Sequence, residues 1–231
     1  MKAIAIITAR GGSKRIPRKN IKAFCGKPII EYSIKAAIES GVFDEVMVST
    51  DDEEIASIAK AAGANVPFLR SSEAANDFAT TADVLMEVFQ NYQKLGCEYD
   101  YACCIYPTAP FVTADKLKNA LQLLRTPNTD SVITVTPFSF PPQRGFVINN
   151  NSLSYQYPEY ALTRSQDLPK IYHDCGQFYF FRVSMFMEHK TAVYGNVRPI
   201  IVDETEVQDI DTLTDWKLAE IKYRFMLEEN A

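Results

Sequence analysis

Short apolar runs alternate with longer amphipathic segments along most of this chain, and this alternation limits the folds that it can adopt. Each run has the length of a buried strand, and each segment between runs has the apolar spacing of a helix. The predicted strands are residues 3–7, 46–50, 65–68, 101–105, 131–135, 177–182 and 197–202, and the predicted helices are residues 29–40, 51–62, 80–94, 114–124 and 214–227. Strands that alternate with helices form a mostly parallel sheet covered on both faces, so we predict a doubly wound α/β fold.

The alternation stops at about residues 137–175. This stretch is rich in Pro, Asn, Tyr and Gln, has no helical spacing, and has a predicted turn at residues 149–151. We predict a β-rich arm inserted in a single domain, residues 1–231. Its aromatic side chains would form an exposed patch, typical of an oligomer interface, unless the arm folds back onto its own domain. They are Phe138, Phe140, Phe146, Tyr155 and Tyr157.

Charge and composition exclude several classes of protein. The net charge is -5, no Asp or Glu occurs before Glu31, and eight of the 24 Lys and Arg residues lie in the first thirty positions. A local positive site on an acidic protein favours a small anionic ligand over a nucleic acid. The apolar runs are too short for a signal peptide or a membrane span. The five cysteines lack CxxC spacing, which indicates neither a disulfide framework nor a zinc site. We therefore expect a cytoplasmic protein without a membrane or nucleic-acid partner.

The segment after the first predicted strand, residues 9–20, reads ARGGSKRIPRKN and is called the basic loop. Gly11 and Gly12 allow a ligand to approach the backbone closely. Backbone N–H groups, Ser13 and the neighbouring Lys and Arg residues suit a polyanion such as a nucleoside triphosphate. Open α/β sheets bind ligands at this end of a strand. The spacing of a P-loop or a dinucleotide fingerprint is absent. The alternative is a solvated basic surface loop.

Two pairs of Asp residues could bind a ligand or serve only the structure. Asp209 and Asp211 would project to the same face of an extended segment, and two carboxylates at that spacing can hold Mg²⁺. The alternative is that Asp211 caps the last helix and Asp209 is an exposed charge. Asp51 and Asp52 begin a predicted helix, where acidic residues complement the helix dipole. For that pair, a structural role and a ligand-facing role are both open.

Four motifs together resemble the CMP-nonulosonate synthetases, cytidylyltransferases that activate sialic-acid-type sugars. The motifs are ARGGSKRIPRKNI near the start, YPTAP at residues 106–110, TRSQD in the arm and QDIDT at residues 208–212. They occur in the family's order along nearly the whole chain. The resemblance implies a nucleotide-diphospho-sugar transferase-like fold and a homodimer in which each arm reaches over its neighbour's active site. It also implies an Mg²⁺-dependent reaction that joins CTP to a nine-carbon 2-keto acid sugar and releases pyrophosphate.

The resemblance further implies roles for the residues that match the family's motifs. Catalysis is expected to depend on Arg10, Lys14, Lys19 and Asp211, with Mg²⁺ on Asp209 and Asp211. The expected nucleotide contacts are Ala9, Arg10, Gly11, Gly12, Ser13, Lys14, Lys19, Asn20, Arg70, Ala79 and Thr81. The expected sugar contacts are Tyr106, Arg164, His173 and Gln177.

Two departures from the sialic-acid enzymes of this family indicate the sugar. Those enzymes usually carry Gln before a Pro-Thr-Ser-Pro turn, where it contacts the sugar. Here that position is Tyr106, and the turn is Pro-Thr-Ala-Pro. Residues 172–179 read YHDCGQFY, where those enzymes tend to have RPNGAIY. Both changes resemble the pseudaminic acid cytidylyltransferases, so we expect pseudaminic acid as the substrate, with Tyr106 and His173 as specificity residues.

Other substrates and functions stay open. Synthetases of CMP-sialic acid, CMP-legionaminic acid and CMP-3-deoxy-manno-octulosonate share the basic loop, so competition between substrates is needed to separate them. A non-catalytic nucleotide sensor on the same fold would bind a nucleotide without releasing pyrophosphate, although the basic loop and the acidic pair favour an enzyme. A dehydrogenase on a Rossmann fold is disfavoured by the missing fingerprint.

Overall fold

The computed structural model describes residues 1–229, which contain ten strands and seven α-helices. The strands are β1 (Ala3–Thr8), β2 (Ala23–Phe24), β3 (Lys27–Pro28), β4 (Glu45–Ser49), β5 (Tyr101–Ile105), β6 (Ser131–Pro137), β7 (Phe146–Asn149), β8 (Ser152–Tyr155), β9 (Tyr172–Arg182) and β10 (Val197–Ile201). The helices are α1 (Ile30–Ser40), α2 (Glu53–Ala61), α3 (Ser72–Ala75), α4 (Thr81–Lys94), α5 (Ala114–Leu124), α6 (Val183–His189) and α7 (Leu213–Glu229). Within the described range, no helix is both long enough and apolar enough to cross a membrane.

Six strands form one sheet in the order β10–β6–β9–β5–β1–β4. Neighbouring strands are parallel except at β9, which runs antiparallel to both β5 and β6. The prediction of a mostly parallel sheet is confirmed. Because β4, β1 and β5 run in the same direction, their carboxyl ends meet at one edge of the sheet, where the loops that follow can form a site.

β1 shows why helices cover both faces of the sheet. Successive side chains of a strand point to opposite faces. Ala5 and Ile7 pack with residues of α1 and α5, whereas Ile4 and Ile6 pack with residues of α4 and α6. All four side chains are fully buried. A strand that is apolar on both faces needs a helical layer on each side, so this run accounts for the doubly wound arrangement.

Most predicted boundaries agree with the structure to within two residues. At the predicted strand 65–68, only Asn65 pairs, with Met47. Pro67 has no N–H to donate to a neighbouring strand, which explains why the pairing stops there. β9 begins at Tyr172, five residues earlier than predicted. The β2–β3 hairpin and the helices α3 and α6 were not predicted, because such short elements show no clear periodicity.

The arm leaves the sheet between β6 and β9, whose ends pair at Pro137 and Tyr172. β7 and β8 form an antiparallel hairpin, and Asn150 and Asn151 at its turn both have positive φ angles, of 50° and 62°. Asn tolerates this left-handed backbone well, as hairpin turns of this kind require. Each of the two strands is four residues long, so the arm contains less β-structure than predicted.

Large apolar side chains of the arm are exposed in the single chain. Phe140 and Leu162 are 88% and 99% exposed, and the side chains of Phe138, Phe146 and Tyr157 are also exposed. Tyr155 is half-buried, with its ring centroid 4.4 Å from that of Phe146. Folding of the arm onto its own domain therefore does not cover this apolar surface.

Candidate active site

The basic loop leaves β1 at its carboxyl end and closes on itself. Ala9 N donates to Ser49 O at 2.9 Å, which holds the start of the loop against β4. The side chain of Asn20 is buried, and its Nδ2 donates to Arg10 O at 2.8 Å, which joins the end of the loop to its beginning. Ala9 and Asn20 therefore shape the loop.

Gly11 lies against two acidic residues at the start of α2. Its N–H donates to Asp51 Oδ1 at 2.9 Å. A Cβ added at Gly11 would lie 2.8 Å from Asp52 Oδ2, which is too close for any larger residue, whereas a Cβ at Gly12 would meet nothing within 4 Å. Ser13 N donates to Gly11 O at 3.0 Å. Asp51 and Asp52 thus support the loop, and Gly11 has already given its N–H to Asp51.

Arg18 ties the loop to α2. It has a left-handed backbone, with φ at 55°, and its guanidinium pairs with the carboxylates of Asp52 and Glu54. Asp52 also caps α2 by accepting from Glu54 N and Ile55 N. The hydrogen bond from Arg18 lowers the pKa of Asp52 to about 2. Arg18 is therefore occupied in the structure of the loop.

Two other cations of the loop, Arg10 and Lys14, pair with one carboxylate. Arg10 Nη1 lies 2.9 Å from Asp77 Oδ1, and Lys14 Nζ pairs with Asp77 Oδ2. The hydrogen bond from Lys14 and, to a smaller extent, the one from Arg10 lower the pKa of Asp77. The predicted phosphate-binding side chains Arg10 and Lys14 thus lie together, facing the turn between α3 and α4.

Residues 204–211, here called the acidic segment, lie against the other end of the loop. Asp211 Oδ2 accepts a hydrogen bond from Arg15 Nη1 at 2.5 Å, and Asp211 Oδ1 is 3.7 Å from Lys19 Nζ. Lys19 Nζ also donates to Ile210 O at 2.7 Å. Arg15 and Asp211 are 196 residues apart in sequence, so the fold joins two distant motifs in one charged site.

Asp211 is not the cap of α7. Asp215 Oδ2 accepts from Thr212 N at 2.7 Å, and Thr212 Oγ1 accepts from Asp215 N at 3.2 Å. This reciprocal pair is a capping box. The interpretation of Asp211 as a plain helix cap is therefore wrong. Its carboxylate pairs with Arg15 and Lys19 instead.

Asp209 and Asp211 fit a Mg²⁺ site that takes most of its ligands from elsewhere. The carboxylate of Asp209 is exposed and has no hydrogen-bond or ion-pair partner among residues 1–229. In the same range, no group of three or more His, Cys, Asp or Glu side chains could hold a metal ion. Mg²⁺ typically binds one or two carboxylates together with waters and substrate phosphates. Two carboxylates beside the basic loop match that set of ligands.

A cleft of about 330 Å³ opens beside the acidic segment and contains both predicted specificity residues. Tyr179 Oη donates to Asp174 Oδ2 at 2.6 Å, and the Tyr106 ring centroid lies 5.5 Å from that of Tyr179. Burial and the hydrogen bond to Asp174 raise the pKa of Tyr179. His173 Nδ1 lies 3.0 Å from Asp174 O. The polar residues of the cleft include Tyr106, Thr108, His173, Asp174, Tyr179 and Asp209.

Arg70 lies buried behind the loop. Its Nη2 donates to Ser49 O at 2.6 Å and its Nε donates to Ser49 Oγ at 3.0 Å. Burial lowers the pKa of Arg70, whereas the charges of Asp51 and Glu87 act in the opposite direction, and no carboxylate in the described part of the chain lies within ion-pair distance of it. A buried cation without a paired anion favours a ligand that can accept its hydrogen bonds.

The remaining predicted nucleotide contacts lie at the start of α4. Thr81 lines a second cleft, of about 240 Å³, together with Tyr106 and Tyr179. Ala79 lies in the turn before α4, where its N–H donates to Asn76 Oδ1 at 2.9 Å. Because Tyr106 and Tyr179 line both clefts, the predicted nucleotide and sugar residues meet at this pair of rings.

Two predicted sugar contacts do not line either cleft. Gln177 is buried beneath the first cleft, where its Nε2 donates to Glu206 O at 2.7 Å. Its Oε1 has no hydrogen-bond partner among residues 1–229. Arg164 is exposed on the arm and pairs with Asp167, with Nε 2.7 Å from Oδ2. Among the described residues, Arg164 therefore has no hydrogen bond or ion pair with another candidate site residue.

Comparison with known proteins agrees with this geometry. A sequence model of the cytidylyltransferase family matches residues 4–229. The chain belongs to the cytidylyltransferase family. The pseudaminic acid cytidylyltransferase of Campylobacter jejuni is 41% identical over 225 residues, which make up 97% of either chain. The CMP-N,N'-diacetyllegionaminic acid synthase of Legionella pneumophila is 31% identical, over 95% of either chain.

A solved structure shows the same fold. CMP:2-keto-3-deoxy-manno-octonic acid synthetase, in a complex with CTP, superposes with a TM-score of 0.71 at 20% sequence identity, over 99% of this chain and 100% of that one. The predicted nucleotidyltransferase fold, the family and the enzyme class of this cytidylyltransferase are therefore confirmed.

Three residues of the candidate site were missed from the sequence. Asp77 follows Asn76 just before a helix cap, which predicts a turn but not a contact with the basic loop. Asp174 gives no signal at all, because its partner Tyr179 is known only from the structure. Tyr179 could have been found, because it lies two residues after Gln177 on a predicted strand, and such residues share a face.

Proposed function

We propose that the protein transfers CMP from CTP to the anomeric hydroxyl of pseudaminic acid and releases pyrophosphate. The observation that carries this proposal is the meeting of the basic loop and the acidic segment at Asp211, beside a cleft that contains Tyr106 and His173. The choice of sugar is supported by the 41% identity to a relative named for pseudaminic acid, against 31% to one named for a legionaminic acid.

The nucleotide would lie along the basic loop. Arg10, Lys14 and Lys19 would neutralise phosphate oxygens, since charge-assisted hydrogen bonds to phosphate are strong. Arg70, which lies buried behind the loop, would donate hydrogen bonds to the nucleotide. Ala79 and Thr81 would contact the cytidine part of the nucleotide at the second cleft. Gly11 donates its N–H to Asp51 and Ser13 donates its N–H to Gly11 O, so a backbone contact to phosphate would come from Gly12, with the hydroxyl of Ser13 beside it.

The reaction is a displacement at the α-phosphorus of CTP. The anomeric oxygen forms a new bond to this phosphorus, the bond to the bridging oxygen of pyrophosphate breaks, and the hydroxyl proton is released. Such transfers depend on positioning and on stabilisation of developing charge. Arg10 would help to stabilise the charge of the transition state as pyrophosphate leaves. Asp209 and Asp211 would hold Mg²⁺, which supplies further charge neutralisation at the phosphate oxygens when bound.

The sugar site would be completed by a second subunit. Tyr106 and His173 would select the sugar's substituents, with Gln177 below them. Arg164 touches neither cleft in its own chain, and the apolar surface of the arm is exposed. We therefore assign Arg164 to the partner subunit's cleft in a homodimer. The five cysteines have no disulfide partner within residues 1–229, which supports a reducing, cytoplasmic location.

The test is pyrophosphate release from CTP and Mg²⁺, with pseudaminic acid, N,N'-diacetyllegionaminic acid and N-acetylneuraminic acid in parallel. We expect release with pseudaminic acid, and none after chelation of Mg²⁺. Release with only one of the other two sugars would keep CMP transfer and overturn the role of Tyr106 and His173. Binding of CTP without release from any of the three would favour a nucleotide sensor.

A further inference from the structure

The carboxylate of Asp77 occupies the cations that the proposed function assigns to phosphate. Arg10 Nη1 is 2.9 Å from one of its oxygens, and Lys14 Nζ pairs with the other. Among residues 1–229, neither cation has another carboxylate partner. A phosphate group bound between the two side chains would therefore have to displace Asp77 or lie against its negative charge, and either alternative weakens the binding of that phosphate.

The turn that carries Asp77 is anchored on both sides. Asn76 Oδ1 accepts from Phe78 N at 2.8 Å and from Ala79 N at 2.9 Å, which fixes the turn itself. On one side Ser71 N donates to Glu87 Oε1 at 3.0 Å, and on the other Thr80 caps α4. The position of Asp77 opposite the basic loop is thus built into the start of α4.

The contacts of Asp77 are also weak enough to be exchanged. The side chains of Lys14 and Asp77 are 75% and 44% exposed. Ion pairs with this exposure contribute little free energy each and are screened by salt. A triphosphate carries several negative charges and can replace them, whereas an anion that does not reach both cations leaves them intact.

We propose that Asp77 is an internal competitor for the phosphate-binding cations, and that it weakens the binding of CTP and of pyrophosphate without affecting that of CMP. This inference rests on the proposed function, in which Arg10 and Lys14 bind phosphate, and it assigns the β- and γ-phosphates to these two cations. Every ligand with phosphates at that position meets the negative charge of Asp77. CMP has no such phosphates and does not compete with it. After the reaction, Asp77 returns to the two cations and assists the departure of pyrophosphate.

The test compares Asp77→Asn with a matched control, Glu73→Gln. Both variants remove one negative charge from the same segment, but the side chain of Glu73, on α3, hydrogen-bonds to neighbouring residues such as Ser72 and contacts neither Arg10 nor Lys14. Binding of CTP, CMP and inorganic pyrophosphate is measured by calorimetry at low and high ionic strength. We expect Asp77→Asn to bind CTP and pyrophosphate about threefold to tenfold more tightly, with CMP unchanged and a smaller effect in high salt. Glu73→Gln should resemble the wild type.

Equal or weaker binding of CTP and pyrophosphate by Asp77→Asn, with an unchanged melting temperature, would overturn the proposal. Equal tightening for CMP would also overturn it, because the effect would then not depend on the β- and γ-phosphates. Inorganic pyrophosphate tests the inference apart from the proposed function. If the wild type bound no CTP, the proposed function would fail, and the pyrophosphate comparison would still decide the role of Asp77.

Discussion

Asp52 connects three features of the site through one carboxylate. It caps α2 by accepting from Glu54 N and Ile55 N, and it pairs with Arg18 of the basic loop. It also limits the space beside Gly11, where any Cβ would come within 2.8 Å of its Oδ2. Because Arg18 and the helix cap hold this carboxylate in place, it cannot easily move away from a larger residue.

Replacement of Gly11 by Ala should destabilise the protein, because the added methyl group would meet a fixed carboxylate. We expect a loss of about 1–3 kcal/mol in the free energy of unfolding, as is typical of an overpacked position. Gly12→Ala is the matched control, since its Cβ meets nothing within 4 Å. Urea unfolding of both variants gives the comparison, and equal stability would show that Asp52 yields to the methyl group.

The charge of Asp52 should contribute stability that depends on pH. Its pKa is lowered from 3.8 to about 2 by Arg18, so the contribution is present above pH 3.8 and is lost as the pH falls towards 2. Asp52→Asn keeps a cap on α2 but removes the charge. It should cost about 2 kcal/mol at neutral pH.

The measurement for Asp52→Asn is urea unfolding at a series of pH values. The difference in unfolding free energy between wild type and variant should shrink as the pH falls from about 4 to about 2. A difference that stays constant over this interval would mean that the charge of Asp52 is not the cause.

Helix α7 positions the acidic segment. Lys222 Nζ donates to Glu204 O at 3.0 Å and to Val207 O at 2.7 Å. Gln177 on β9 donates to Glu206 O in the same segment. These contacts lie just before Asp209, so they fix the backbone from which this carboxylate projects. Residues outside the metal site that orient its ligands have large effects on metal affinity.

Lys222→Met should therefore raise the Mg²⁺ concentration needed for half-maximal pyrophosphate release, by about tenfold. The melting temperature and the affinity for CTP without metal are measured alongside, and both should stay close to the wild type. Lys217→Met is the control, because Lys217 is an exposed lysine of α7 without a hydrogen-bond partner among the described residues. An unchanged Mg²⁺ requirement in a folded Lys222→Met would contradict this role.

The sequence predicts elements better than contacts. β1, β5, α4 and α5 follow from apolar periodicity alone, because each is long enough to show its pattern. The antiparallel direction of β9 cannot be read in this way, since a strand has the same alternation in either direction. The same limit holds at the site: the pattern marks Asp211 and Arg15 as polar, but only the fold shows that they meet. Family motifs supplied the candidate roles that periodicity could not.

At the scale of the whole molecule, the arm separates Arg164 from the rest of the site. Arg164 is exposed and pairs with Asp167 on the arm, while the clefts lie at the edge of the sheet. The exposed Phe140 and Leu162 of the arm would gain from burial against a second chain. An arm that crosses to a partner explains both observations, and it makes a prediction that no single-chain arrangement shares.

Mixing two inactive variants should restore activity if arms cross. In the proposed homodimer, Arg164→Ala and Asp211→Ala would each disable both sites. In a mixed dimer, one site keeps its own Asp211 and receives Arg164 from the partner's arm. Random exchange of subunits should then give about a quarter of the wild-type pyrophosphate release. No recovery, with mixed dimers shown by native mass spectrometry, would place Arg164 in the site of its own chain.

The arm begins and ends at a single point of the sheet, since Pro137 and Tyr172 are paired neighbours and Phe138 N donates to Ile171 O at 3.0 Å. A segment with adjacent ends behaves as a module, because its length and sequence can change without separating the strands that hold it. Exchange of residues 138–171 between relatives should yield chimaeras with intact cores and altered subunit recognition. Two such enzymes could then be expressed in one cell without forming mixed assemblies.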